Sequence, residues 1–136
     1  MQNSFVHLRV SSEFSISRGL LRINEIIENA QKFKMPAVAL TDLNNMFGMV
    51  KFFKKAEAAG IKPIAGTILN LKSPSGELGE ILCLAKNNDG LKLLMGIISK
   101  SQLQQENGHI SVSFDDLRGC AGNIIVISGG SSTTIF

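Results

Sequence analysis

Hydrophobic positions change period several times along this chain, and each change predicts an element. Phe5 to Val10 alternates, with Val6, Leu8 and Val10 on one face and His7, Arg9 and Ser11 on the other, the period of a strand. Ile23, Ile26, Ile27, Ala30 and Phe33 then follow helical spacing, with Asn24 as the expected N-cap and Pro36 barring continuation past Met35. Ala37 to Leu40 is apolar throughout and predicts a short buried strand. Met49, Phe52, Phe53, Ala56 and Ala59 return to the helical period, Lys51, Lys54, Lys55 and Glu57 mark the wet side, and Gly60 supplies a C-terminal stop.

The second half continues the alternation. Ile61 to Leu71 predicts a third strand, with Gly66 allowing a bend, and SPSGELGE at 73–80 reads as a turn. Ile81 to Ala85 predicts a fourth strand, antiparallel to the third if that turn closes a hairpin. Asn87 or Asn88 is placed to cap a helix that turns Leu91, Leu94, Met95 and Ile98 inward, and SQLQQENGH at 101–109 reads as a mobile loop. Ser113 and Asp116 have capping-box spacing for a short helix through Leu117, and Ile124 to Ile127 is the last strand. Strands separated by helices predict an α/β fold, a mostly parallel sheet flanked by helices. In such sheets chemistry gathers beyond the C-terminal strand ends. Here that edge would collect residues 9–13, 41–45, the Asn70 region and 128–130.

Composition narrows the picture modestly. At 136 residues and 44% hydrophobic, the chain has the size and apolar content of one domain with a real core. A net charge of +3 is too weak a footprint to argue nucleic-acid binding by itself. Cys83 lies in an apolar run and Cys120 is far from it in sequence, so neither a disulfide framework nor a zinc knuckle is indicated, and a reducing cytoplasm fits. No signal peptide or membrane-length apolar run is visible.

Two blocks carry a resemblance: FVHLRVSSEFS from Phe5, and MPAVALTDLNNMFGMVKFFKKAEAAGIKPIAG from Met35. LAKNNDGLKLLMGIISKSQ and NIIVISGG continue it. Together they resemble the PHP domain that opens the bacterial DNA polymerase III alpha-subunit family. The resemblance implies a distorted β/α barrel of about seven strands, of which residues 1–136 would be the N-terminal half, with polymerase palm, fingers and thumb absent.

Metal-binding members of that family carry ligands at strand ends, and the resemblance maps those positions one by one. The two histidines of the opening His-x-His fall on Arg9 and Ser11, and a turn carboxylate falls on Arg18. In the Thr-Asp-His motif Asp42 is kept and the histidine falls on Leu43. A later acidic position falls on Ile68, and a histidine entering the fourth strand falls on Glu80. Arginine cannot deprotonate to bind a cation. The resemblance therefore implies a vestigial metal site with no resident metal or cofactor and no catalytic residue in this stretch. Asp42 reads more simply as a turn carboxylate than as a remnant ligand, and an ion pair from Asp42 or Glu13 to Arg9 or Arg18 is the expected replacement for the lost ions.

The implied role is a catalytically inactive scaffold in DNA replication. It would pack against the remainder of the polymerase alpha subunit and dock the proofreading exonuclease subunit, meeting DNA only through the parent holoenzyme, itself a nucleotidyltransferase. The alternative is a residual metal-dependent phosphoesterase or 3′–5′ exonuclease. An incomplete barrel would also leave an open sheet edge, which favours a homodimer of the isolated chain. Other candidates weigh less. His7 and His109 have no sequence partners, and KFFKK at 51–55 puts its phenylalanines on the buried helix face. SGGSS at 128–132 lacks the lysine and following helix of a phosphate loop.

Overall fold

The computed structural model describes residues 5–128. Eight elements follow in order: α1 (Ile23–Lys32), β1 (Ala37–Leu43), α2 (Met49–Ala58), β2 (Lys62–Lys72), β3 (Leu78–Ala85), α3 (Asn88–Leu103), α4 (Phe114–Arg118) and β4 (Ile124–Ile127). The strands form one sheet in sequence order. Among these described strands only β1 and β2 run parallel; β2–β3 and β3–β4 are antiparallel. The expectation of a mostly parallel sheet is thus corrected. A parallel pair needs a crossover, and α2 supplies the one between β1 and β2, whereas Ser73–Glu77 closes β2 onto β3 as a tight hairpin through Ser73 N–H donating to the Glu77 carbonyl at 2.8 Å.

The first predicted strand is also corrected. Residues 5–11 run extended beside β1 without joining the sheet as a strand. Ala39 N–H donates to the His7 carbonyl at 2.9 Å and Thr41 N–H to the Val10 carbonyl at 2.8 Å. Thr41 interrupts the ladder, because its Oγ1 takes the Val10 N–H at 2.9 Å in place of a backbone carbonyl.

Helix boundaries follow local chemistry. Arg22, not Asn24, occupies the N-cap of α1, and its N–H is met by Glu25 Oε2 at 2.7 Å. Phe33, expected inward, falls at the C-cap and is exposed. Gly60, at φ +71°, ends the α2 segment in the left-handed region where glycine carries no Cβ penalty. Asn87 caps α3, its Oδ1 accepting from Gly90 N–H at 2.8 Å. That helix reaches Leu103, so the loop expected from residue 101 begins three residues later; Ser101 is buried and donates back to the Ile98 carbonyl. Within α3, Met95 is exposed and Ile97 is buried in its place. Ser113 and Asp116 form the expected capping box of α4.

Two cores lie on the helical face of the sheet. One joins α1 and α2 to Val38, Leu40 and Ala65, around a fully buried Phe52. The other joins α3 to Leu69, Leu71, Ile81 and Cys83. A third cluster consists of strand residues alone: Ala39, Ile68, Leu82 and Leu84, flanked by Leu43, Ile64 and Ile127. It marks the second face of the sheet, to which none of the described helices contributes a side chain.

Candidate functional site

The site is built where the segment after residue 8 crosses the ends of β1–β3. A tight turn follows Ser12. Ser15 N–H donates to the Ser12 carbonyl at 2.9 Å, and Gly19 N–H to the Ser15 carbonyl at 2.8 Å. Gly19 is required by proximity, since a Cβ there would sit 1.8 Å from the Ser12 carbonyl oxygen. Glu13 N–H then donates to the Leu21 carbonyl, closing the loop into α1.

Asp42 anchors this turn from β1. It is 1% exposed. Its Oδ1 accepts from Ser12 N–H at 2.7 Å and from Ser15 Oγ at 2.6 Å, and its Oδ2 accepts from Ser12 Oγ at 2.8 Å. Ser15 Oγ in turn accepts from Leu43 N–H at 3.0 Å. Three donors compensate the desolvation of a buried carboxylate. Asp42 therefore acts as the turn carboxylate expected of it, and no ion pair joins it to Arg9 or Arg18 among the described contacts. Glu13 pairs at 4.0 Å with Arg22.

The arginines are held instead by Glu80, a residue outside the expected ion pairs. Arg9 Nη2 donates to Glu80 Oε2 at 3.0 Å, and Arg18 Nη1 donates to Glu80 Oε1. The carboxylate is buried on β3, while both guanidinium side chains remain about half exposed. Each arginine takes a different oxygen of one carboxylate, so the two cations converge over a single anion.

The apolar positions singled out by the resemblance are also brought together. Leu43 is the register partner of Ile68, and Ile68 of Leu82. Glu80 is two residues from Leu82 and so shares its face. Arg9, Arg18, Leu43, Ile68 and Glu80 thus converge on one region of the second sheet face, whereas Asp42 is engaged by the serine turn. Ser11 is half-buried beside Ser12. Among the described residues, no group of three or more histidine, cysteine, aspartate or glutamate side chains is placed to hold a metal ion. His7 stacks edge-on with Phe5 at 4.7 Å and His109 is exposed in a turn. Ser12 and Ser15 were missed as site residues; their signal was the S-x-x-S spacing of a turn facing a strand-end aspartate.

Elsewhere the candidates are inert. Burial pushes the Cys83 thiol up to about 12 and raises that of Cys120, so neither is a thiolate nucleophile at neutral pH. Phe52 is buried and Lys51, Lys54 and Lys55 are exposed, the ordinary division of an amphipathic helix. Of the SGGSS stretch, all but Ser128 lies outside the described residues. No described helix is long and apolar enough to cross a membrane.

Comparison with known proteins places this geometry. Residues 7–136 match the PHP domain family. The chain is 39% identical over 138 residues to the DNA polymerase III subunit alpha of Pseudomonas fluorescens, covering 99% of this chain and 12% of that protein. It is 40% identical over 134 residues to the same subunit of Vibrio cholerae, covering 94% and 11%. The Escherichia coli K12 subunit is 41% identical over 99 residues, covering 71% and 8%. The chain therefore spans about an eighth of the length of the first of these relatives. Among solved structures, one described as a metal-dependent phosphoesterase from Bifidobacterium adolescentis superposes with a TM-score of 0.56 at 16% identity, over 72% of this chain and 32% of that one. An amidohydrolase from Chromobacterium violaceum gives 0.57 at 20% identity, over 74% and 34%. At these identities the likeness concerns the fold.

Proposed function

The chain belongs to the PHP domain family, and from that premise we propose that it is the N-terminal part of the PHP module of a bacterial DNA polymerase III alpha subunit, serving as a metal-free scaffold. In this reading it packs against the polymerase body and contributes to docking the proofreading exonuclease subunit. The observation that carries the metal-free role is the Glu80 carboxylate clasped by Arg9 and Arg18. Two permanently charged guanidinium groups stand at positions where a hydrolase of this family would gather cations, and their field opposes a divalent ion. Leu43 and Ile68, packed together nearby, offer no lone pair to one. The ion pairs tie the 9–18 segment to β3, the mechanical task that coordinate bonds would otherwise perform.

Metal analysis by mass spectrometry, on protein purified without a polyhistidine tag, tests the first half. Bound manganese or zinc well below stoichiometry is expected. One or more equivalents, accompanied by phosphodiester hydrolysis, would replace the scaffold with a residual phosphoesterase. Pull-down of the exonuclease subunit by this chain, and by a version extended further into the alpha subunit, tests the second half. Capture by at least the longer version is expected, and capture by neither removes the docking role.

A further inference from the structure

Asn107 is the one asparagine of this chain that is followed by glycine. Asn107 and Gly108 form a two-residue loop between Glu106 and His109, which pair as an antiparallel bridge. His109 N–H donates to the Glu106 carbonyl at 2.9 Å. Both loop residues have positive φ, 50° and 77°, as Asn-Gly does in a type I′ turn. Three features of the loop bear on its chemistry. First, the Asn107 carboxamide is exposed and makes no hydrogen bond among the described residues. Second, the Gly108 N–H donates to no carbonyl among them. Third, a Cβ at Gly108 would meet nothing within 4 Å, so neither its own side chain nor a neighbouring element shields the Asn107–Gly108 bond from water.

An uncommitted carboxamide beside an unhindered backbone nitrogen is open to attack by it. The deprotonated Gly108 nitrogen adds to Asn107 Cγ, and the Cγ–Nδ2 bond breaks. Nδ2 leaves as ammonia after taking a proton from solvent, and a five-membered succinimide remains. Water then opens the ring at one of its two carbonyls. Opening at the backbone carbonyl leaves isoaspartate, whose main chain is longer by a methylene; opening at Cγ leaves aspartate. Water enters, ammonia leaves, and nothing is oxidised or reduced. We propose that Asn107 is a self-modification site, converting through the succinimide to aspartate and isoaspartate in the folded protein.

The fold closes the same route elsewhere. Asp89–Gly90 could form the same ring, but it lies in the first turn of α3, where Gly90 is buried and its N–H is held by Asn87 Oδ1 at 2.8 Å. Asn44, Asn45, Asn70, Asn87 and Asn123 commit their side chains to hydrogen bonds. Asn24, Asn29 and Asn88 sit in helices and precede residues with side chains. Conversion at Asn107 has a structural consequence. Either product places a carboxylate beside Glu106, which pairs with Lys72 at the end of β2. Isoaspartate also lengthens a loop whose closure sets Glu106 opposite His109, so it loosens the 104–110 segment from β2. The reaction needs only this loop and water, and holds whatever the chain's role in a larger protein.

The test incubates the folded chain at mildly alkaline pH beside two references, a synthetic peptide of residues 103–111 and the chain unfolded in guanidinium chloride. When half of the synthetic peptide has converted, each sample is mapped by mass spectrometry, and isoaspartate is scored by isoaspartyl methyltransferase labelling. In the folded chain, position 107 should be converted to an extent comparable with the peptide, faster as pH rises because the Gly108 nitrogen must ionise, and position 89 should carry no isoaspartate. The unfolded chain should be modified at both. Folded Asn107 left intact while the peptide converts would overturn the proposal, as would isoaspartate at 89 matching that at 107 in the folded chain. In the isoaspartate form the His109 amide should exchange faster with deuterium, and unchanged protection there overturns the loosening.

Discussion

At the scale of single residues, two carboxylates that look alike in the sequence do different work. Asp42 is enclosed and accepts three hydrogen bonds from a serine turn, whereas Glu80 is buried but answers to arginines that reach into solvent. Removing Asp42 strands two hydroxyls and a backbone N–H in a dry place. Asp42→Ala should therefore cost about 2–4 kcal/mol of stability. Glu80→Ala should cost less, about 1–2 kcal/mol, because half-exposed arginines can turn to water. Urea unfolding of both variants checks the order, and a larger loss at Glu80 would contradict it. The retained Thr-Asp pair marks Asp42 as a candidate in the sequence itself. Glu80 is visible there only as an aligned position, since a residue 62 and 71 positions from its two partners gives no local signal.

At the scale of elements, α3 separates propensity from context. Gly90 and Gly96 both sit inside it, and alanine is favoured over glycine in a helix by about 1 kcal/mol. A Cβ at Gly96 would meet nothing within 4 Å, so Gly96→Ala should stabilise the protein, by about 0.5–1 kcal/mol. A Cβ at Gly90 would stand 2.0 Å from the Asn123 carbonyl oxygen, where the chain enters β4, so Gly90→Ala should destabilise it despite the same propensity. Thermal melts of the pair should move in opposite directions. The α4 cap makes a separate prediction about acid. The Lys100 ammonium, 2.5 Å away, and the Ser113 contacts lower the Asp116 carboxyl from 3.8 to about 2. A depressed carboxylate contributes stability above its unfolded pKa and loses it as pH falls through the folded one. The advantage of the native chain over Asp116→Asn should thus be full above about pH 4 and vanish toward pH 2. Because Lys100 is exposed, that advantage is at most about 1 kcal/mol. Urea midpoints at about pH 5 and about pH 2.5 compare the two.

At the scale of the whole molecule, the sheet has a helical face and a second face whose apolar cluster, among the described residues, is made of strand side chains. The second face carries Ile64, Leu84 and Ile127, and Ile125 and Val126 on β4 are each nearly half exposed. The four residues of β4 carry no charge or proline along the edge strand. Such an edge pairs readily with another chain. The isolated protein should accordingly self-associate, and Val126→Lys should shift it toward monomer in light scattering. A monodisperse monomer for the unsubstituted chain at high concentration would count against an interacting edge.

Hydrophobic period and punctuation alone determined the helices α1 to α4, the presence of a turn after Lys72 and the division of α2 into wet and dry faces, because each rests on contacts within a few residues; that this turn closes a hairpin over 73–77 and that β3 starts at Leu78, inside the turn expected to reach residue 80, came from the structure. The same local signals overstated the N-terminal strand and the parallel character of the sheet. A run such as Phe5–Val10 fixes the alternation of its side chains but not its partner, and Thr41 Oγ1 takes the place of a backbone carbonyl there. Only the tertiary structure decided that Asp42 serves the serine turn, that Glu80 gathers Arg9 and Arg18, and that Leu43 and Ile68 meet across β1 and β2. Those arrangements depend on strand register and on loop closure over tens of residues, where a one-residue slip would send every side chain to the opposite face.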